Sequence, residues 1–277
     1  MSKIYKLEEL IRKFIRKTGR DRVRAHSAEA AFFIIMSCFP VLMLLLALIQ
    51  FTPIDQEQVI FTLEEMTPFE VSGILKPAVQ SIFTQSSALV PWTILVAIWS
   101  GGKGTLGLTD GLNSIFQIEE RRNYLVTRIR AACYTFVMIL ALIVSITIMV
   151  FGYELQNYLK KMIPFLDTFT ENMFPPMLIA LAVLVLLFAI LYTFLPNRRM
   201  KFRSQIPGAV FTALSWSVFS YAFSIYLDFA VNMSVIYGSL TTLVVVMLWL
   251  YSCMYLLFIG AEINQYIANP ELFALDR

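Results

Sequence analysis

Histidine, cysteine and charge are what this sequence has least of. One histidine, His26, and 3 cysteines stand among 277 residues, and only 15% of the chain is charged, against roughly 25% in soluble domains. A single imidazole excludes a His-rich metal centre. Cys38, Cys133 and Cys253 fall in separate apolar stretches, which predicts small buried hydrophobes rather than a redox or metal pair. No metal and no cofactor is expected. The 22 Lys and Arg and 19 Asp and Glu cannot cover a soluble globule that is 58% hydrophobic with a mean hydropathy of +0.70. A multi-pass membrane protein is the class that remains. The net charge of +3 is too small to suggest a nucleic-acid partner, and none is expected.

A bilayer-crossing helix needs about 20 residues with little charge. Such gaps run between Glu29 and Asp55, Lys76 and Lys103, Arg130 and Glu154, Glu171 and Arg198, Arg203 and Asp228, and Asp228 and Glu262. They predict spans near 30–50, 88–108, 131–152, 176–195, 206–227 and 240–261. Stretches such as Val41 to Ile49 and Leu178 to Ile190 are apolar at nearly every position, which excludes the alternation of a β-barrel strand. The expected fold is all-α. It is a six-helix transmembrane bundle, residues 1–277 forming one integral membrane domain.

Lys and Arg concentrate on the cytoplasmic side of membrane proteins. Nine precede the first span, five lie in 101–130, four in 196–206 and one in the tail, while the three opposite segments hold one, two and none. That bias of 19 to 3 predicts that both termini face the cytoplasm. The first 29 residues are basic and polar, so the first apolar run is expected to stay as a span rather than leave as a signal peptide.

Before the first span, Ile4, Leu7, Ile11, Phe14 and Ile15 recur at helical spacing beside Lys6, Arg12, Lys13, Arg16 and Lys17. This predicts an N-terminal interfacial amphipathic helix whose basic residues meet anionic lipid headgroups, at about 1 kcal/mol per charge. The plainer alternative is a solvated basic tail. Residues 56–87, with apolar positions at Val59, Ile60, Leu63, Val71, Ile74, Leu75, Val79 and Ile82 around Pro68 and Pro77, predict short extracytoplasmic helices between the first two spans.

The run Gly102-Lys103-Gly104-Thr105-Leu106-Gly107 matches G-x-G-x-x-G. The dinucleotide fingerprint requires a strand-turn-helix in a parallel sheet, and here the glycines interrupt a span. Close helix contact at Gly104, Gly107 and Gly111, or local unwinding, is the better reading. Pro40 should kink the first span, Tyr237 anchor at an interface, and Gly238 permit the turn into the last helix.

Polar residues at span ends raise the functional question. Lys103 is followed by Asp110 and Asn113 on one helix, Glu29 opens the first span, and Glu262 and Asn264 close the sixth. Ionisable groups at membrane depth are costly unless paired or hydrated. They are therefore expected to cluster, either as interhelical pairs, as a substrate or proton-coupling site, or as side chains snorkelling to the interface. No catalytic residue is expected: intramembrane proteolysis needs a Ser-His or Asp-Asp pair, and Asp110 and Asp228 fall towards opposite leaflets.

Ala30-Ala31-Phe32-Phe33, Ser37-Cys38-Phe39-Pro40, Trp99-Ser100-Gly101, Asn113-Ser114-Ile115-Phe116, Glu120-Arg121-Arg122, Leu195-Pro196-Asn197, Pro207-Gly208-Ala209, Trp216, Tyr237-Gly238-Ser239-Leu240, Trp249-Leu250-Tyr251 and Gly260-Ala261-Glu262-Ile263-Asn264 occur in this order. Together, over about residues 20–268, they resemble the YihY/BrkB family of bacterial inner-membrane proteins. The chain departs from that pattern at Phe32 and Phe33, where the family tends to tyrosine. The resemblance implies a six-helix protein of the bacterial cytoplasmic membrane. The family's older label, ribonuclease BN, conflicts with a chain that lacks clustered His and carboxylate ligands. Links of some members to envelope lipid export imply movement of an amphipathic lipid. The alternative is a non-transporting envelope scaffold that binds partners, and nothing in the sequence specifies an oligomeric state.

Overall fold

In the computed structural model the residues described are 3–49, 56–58, 60–61, 76–77, 79–80, 90–119, 123–140, 176–230 and 239–273. All of their regular structure is helical. Helix α1 covers Lys3–Arg20, where Glu8 pairs with Arg12 at 3.0 Å and Glu9 with Lys13 at 2.6 Å, one turn apart on an exposed surface. It ends where Arg22 takes a positive φ of 52°, and α2, Val23–Ile49, starts at once. Helix α3 is Val90–Ile115, α4 occupies 124–140, and α5 is Pro176–Phe194. Then come α6, Phe202–Ala230, α7, Ser239–Ala268, and a 3-10 turn, Pro270–Phe273.

Among the described residues, three helical stretches are long and apolar enough to cross a membrane: Val23–Leu44, Phe202–Leu227 and Leu243–Ala268, with a shorter apolar stretch at Ala180–Phe194. Their outward side chains are large and apolar, Val183, Leu186, Val218, Val244 and Leu248 among them, a surface that water would not tolerate but acyl chains would. Most of 56–87, all of 141–175, and Tyr237 and Gly238 lie outside the described residues. So do the greater part of the expected extracytoplasmic helices and the second half of the third expected span.

The structure decides between the two readings of the glycine run and corrects the expected burial of the cysteines. The glycine-rich stretch does not unwind, for α3 is continuous across it. Its glycines serve close packing instead: a methyl on Gly104 would sit 3.1 Å from Ile34, one on Gly107 3.3 Å from the Ala30 backbone, and one on Gly111 would collide with the Phe258 ring. Cys38 and Cys133 are exposed on the protein surface, and only Cys253 is buried. The apolar runs were right, but the face each thiol would occupy was not legible. Pro40 lies within α2, where it withholds one helical amide without ending the helix.

The chain groups into two compact units, Met1–Ala31 with Leu106–Asn123 and Thr147–Arg277, and Phe32–Thr105 with Tyr124–Ile146. In the first, α5, α6 and α7 pack together. Tyr192 lies buried at their meeting point, donating to the Leu257 carbonyl at 2.6 Å and sharing a 2.7 Å hydrogen bond with Thr212. Phe188, Trp216 and Trp249 continue the seam with ring centroids 5.3 and 6.1 Å apart. In the second unit Leu44, Ala97 and Ile139 form a small core, beside which Thr105 and Thr135 share a 2.9 Å hydrogen bond.

Candidate functional site

The buried polar residues of the first unit organise around α7. Phe14, Lys17 and Asp21 recur at spacings of three and four, so α1 and its exit turn present them on one face. Phe14 stacks on Phe273 at 5.7 Å, and Lys17 lies 5.1 Å from the centroid of that same ring. Lys17 then pairs with Asp21 and, at 3.4 Å, with Glu262. The three side chains are 1%, 3% and 0% exposed. Lys17 therefore points into the protein, correcting its expected place among the basic residues facing lipid headgroups. Gln117 donates to Asp21 Oδ1 at 3.3 Å and Ser114 to the Asp21 carbonyl at 3.2 Å. Gln117 reaches it because α3 closes with Gln117 at φ 56° and Ile118 donating back to the Asn113 carbonyl at 2.8 Å. Glu262 Oε1 is buried without a hydrogen-bond partner among the described residues.

One turn-edge further along α7, Asn264 bridges to α6. Its Oδ1 accepts from the Gly208 amide at 2.7 Å, and its Nδ2 donates to the Gln205 carbonyl at 3.2 Å and side-chain oxygen at 3.0 Å. Asn113 Oδ1 accepts from the Asn197 amide at 2.9 Å, docking the loop after α5. Glu29 is exposed, with its carboxylate 3.7 Å from His26 Nδ1, and Asp110 is exposed on α3. Glu29, Asn113, Glu262 and Asn264 thus engage different partners rather than one another. Glu262 meets Lys17 and, through it, Asp21 instead of the other expected members. Neither was singled out from the sequence as a site residue, although their position on the face of Phe14 is a readable signal.

Lys103 belongs to the second unit. From α2, Phe32, Phe33, Met36 and Pro40, and from α3, Trp92, Leu95, Val96, Trp99 and Ser100, line a groove of about 660 Å³ with Lys103 as its one charged wall residue. On α3 these positions repeat at three and four residues, so a single helix stripe makes that wall. The Lys103 ammonium sits 5.8 Å from the Phe33 centroid, and no carboxylate pairs with it among the described residues. Behind Trp99, buried Arg128 stacks at 4.4 Å from the indole and donates to the Trp99 carbonyl at 2.8 Å. The groove can accept an apolar chain along its length and an anion at Lys103.

Long apolar helices carrying this polar seam define an all-helical integral membrane protein. The chain belongs to the BrkB family, whose model, described as virulence factor BrkB, matches residues 14–275. Among its relatives, the ribonuclease-like protein YfkH of Bacillus subtilis is 29% identical over 261 residues, covering 93% of each chain. A UPF0761 membrane protein of Pseudoalteromonas translucida is 28% identical over 58% of this chain and 51% of its own. Another, of Vibrio vulnificus, is 23% identical over 94% of this chain and 83% of its own. No solved structure matches.

Proposed function

We propose that this protein moves a lipid or similar amphiphile with an anionic head across the cytoplasmic membrane, without catalysing a reaction on it. The observation that carries this reading is the apolar groove with Lys103 in its wall. A lysine within a span costs roughly 2.5–3.5 kcal/mol at the helix centre, whereas a cation–π contact returns about 0.5–2 kcal/mol. The Phe33 ring alone does not offset that cost, and an anionic headgroup at Lys103 would. The transport reading receives no support from a broken second span, because α3 is unbroken.

In this reading the chain crosses the bacterial inner membrane six times with both termini in the cytoplasm, and the basic residues of that face, 19 of 22, attract anionic headgroups. Reporters fused at each terminus test that orientation. The alternative, a non-transporting scaffold that binds envelope partners, draws on Glu262 and Asn264 being paired inside the protein.

Purified protein in vesicles carrying labelled phospholipids or polyprenyl lipids should accelerate their exchange between leaflets. Lys103→Ala should lower that rate several-fold with unchanged abundance. A panel in which no lipid moves faster than in empty vesicles would refute the proposal and favour the scaffold.

A further inference from the structure

We propose that Lys17, Asp21 and Glu262 form a proton-binding site in which the two buried carboxyl groups share one exchangeable proton. Both carboxylates flank the same ammonium, so with all three groups ionised the site carries a net charge of −1. Lys17, Asp21 and Glu262 are all withdrawn from solvent, and an uncompensated buried charge costs several kcal/mol. Neutralising Lys17 would make matters worse, leaving −2. One proton on either carboxyl brings the site to zero and keeps the ion pair between Lys17 and the remaining carboxylate.

The second observation is where that proton has room. Glu262 Oε2 faces Lys17, while Oε1 is buried and has no hydrogen-bond partner among the described residues. Asp21 is already held by Lys17 on Oδ2 and by Gln117 on Oδ1. The charged groups acting on the Glu262 carboxyl are Lys17 and Asp21, both from α1 and its exit turn. Among the described residues, the end of α3 contributes neutral Gln117 and Ser114. The 3-10 turn adds the Phe273 ring against Lys17, and α6 adds neutral Gln205 through Asn264. From α2, His26 with its Glu29 meets α7 at Phe258, one turn before Glu262. A proton taken from water onto Oε1 returns to water when the site opens, and no other bond forms or breaks.

The proton site goes beyond the transport reading. If that reading holds as well, the site supplies a means of coupling movement to a proton gradient. The experiment is infrared difference spectroscopy of the full-length protein in lipid nanodiscs, following the carboxylic-acid C=O stretch near neutral pH in water and deuterium oxide.

The wild type should show one protonated carboxyl that disappears at alkaline pH. The band should vanish in Glu262→Gln and equally in Asp21→Asn, because either change leaves one cation and one anion with no need of a proton. Glu29→Gln should keep it. Absence of the band in the wild type, or its survival in either of the first two variants, overturns the proposal. If one variant does not fold, the wild-type titration and the other still decide. A band with the expected losses but no lipid movement would sink the transport reading and leave the proton site standing.

Discussion

The crossing of α6 and α7 makes a demanding prediction about a single methyl group. At Gly260 a Cβ would collide with Thr212 Oγ1 and come within 2.6 Å of the Tyr192 hydroxyl and 2.8 Å of the Gly208 carbonyl. The last is backbone and cannot swing aside. The Tyr192 hydroxyl can move only by giving up its bonds to Leu257 and Thr212. Overpacking of this kind costs roughly 1–3 kcal/mol, and a displaced hydroxyl bond adds about 1 kcal/mol. Alanine returns about 1 kcal/mol of helix propensity. Gly260→Ala should therefore destabilise by roughly 1–3 kcal/mol, the propensity gain offsetting about the hydrogen-bond loss.

Gly19, near the end of α1, has nothing within 4 Å of its would-be Cβ. The same substitution there should be neutral or stabilising by up to about 1 kcal/mol. Thermal unfolding of both variants in one detergent at one scan rate, followed by tryptophan fluorescence, tests the pair. A Gly260→Ala protein that unfolds at or above the wild-type temperature would refute the close crossing.

Two other substitutions probe a polar contact between α6 and α7 and a stacked contact between α3 and α4. Asn264→Leu keeps the volume but removes the side-chain hydrogen bonds to the Gly208 amide and to the Gln205 side-chain oxygen, and should lower stability by about 1–3 kcal/mol in the same assay. Arg128→Lys keeps the charge but loses the flat stack on Trp99 and the fork that reaches its carbonyl. It should shift the indole emission and weaken lipid movement if Trp99 holds the groove wall, while an unchanged spectrum would show that the stack is absent in solution.

The sequence located the helices because solvent, not a particular neighbour, dictates their pattern. An unpaired charge is too costly in hydrocarbon, so charge-free gaps mark the apolar helices wherever their partners lie. The expected first and second spans, 30–50 and 88–108, overlap α2 and α3 over 30–49 and 90–108, and each helix runs on past the span at its other end because a helix does not stop where apolarity does. The glycine run was legible as a packing device or a break. The tertiary structure chose packing, since Ile34 and Ala30 come within 3.1 and 3.3 Å of where a Cβ would stand on Gly104 and Gly107.

The polar site divided the same way. Glu262 and Asn264 stood out because charge and amide are conspicuous at the end of an apolar run. Lys17 and Asp21 did not, because a lysine among nine basic residues before the first span looks like any other. What sets Lys17 apart is a carboxylate 245 positions away, and local periodicity has no access to such a distance. Length and apolarity determined by themselves that this is a helical membrane protein. Which of its polar groups meet, Glu262 with Lys17 and Asp21, Asn264 with Gly208, and Lys103 with an apolar groove, was decided only when the helices packed. Pairing depends on distance and burial in three dimensions, while the membrane acts on each segment alone.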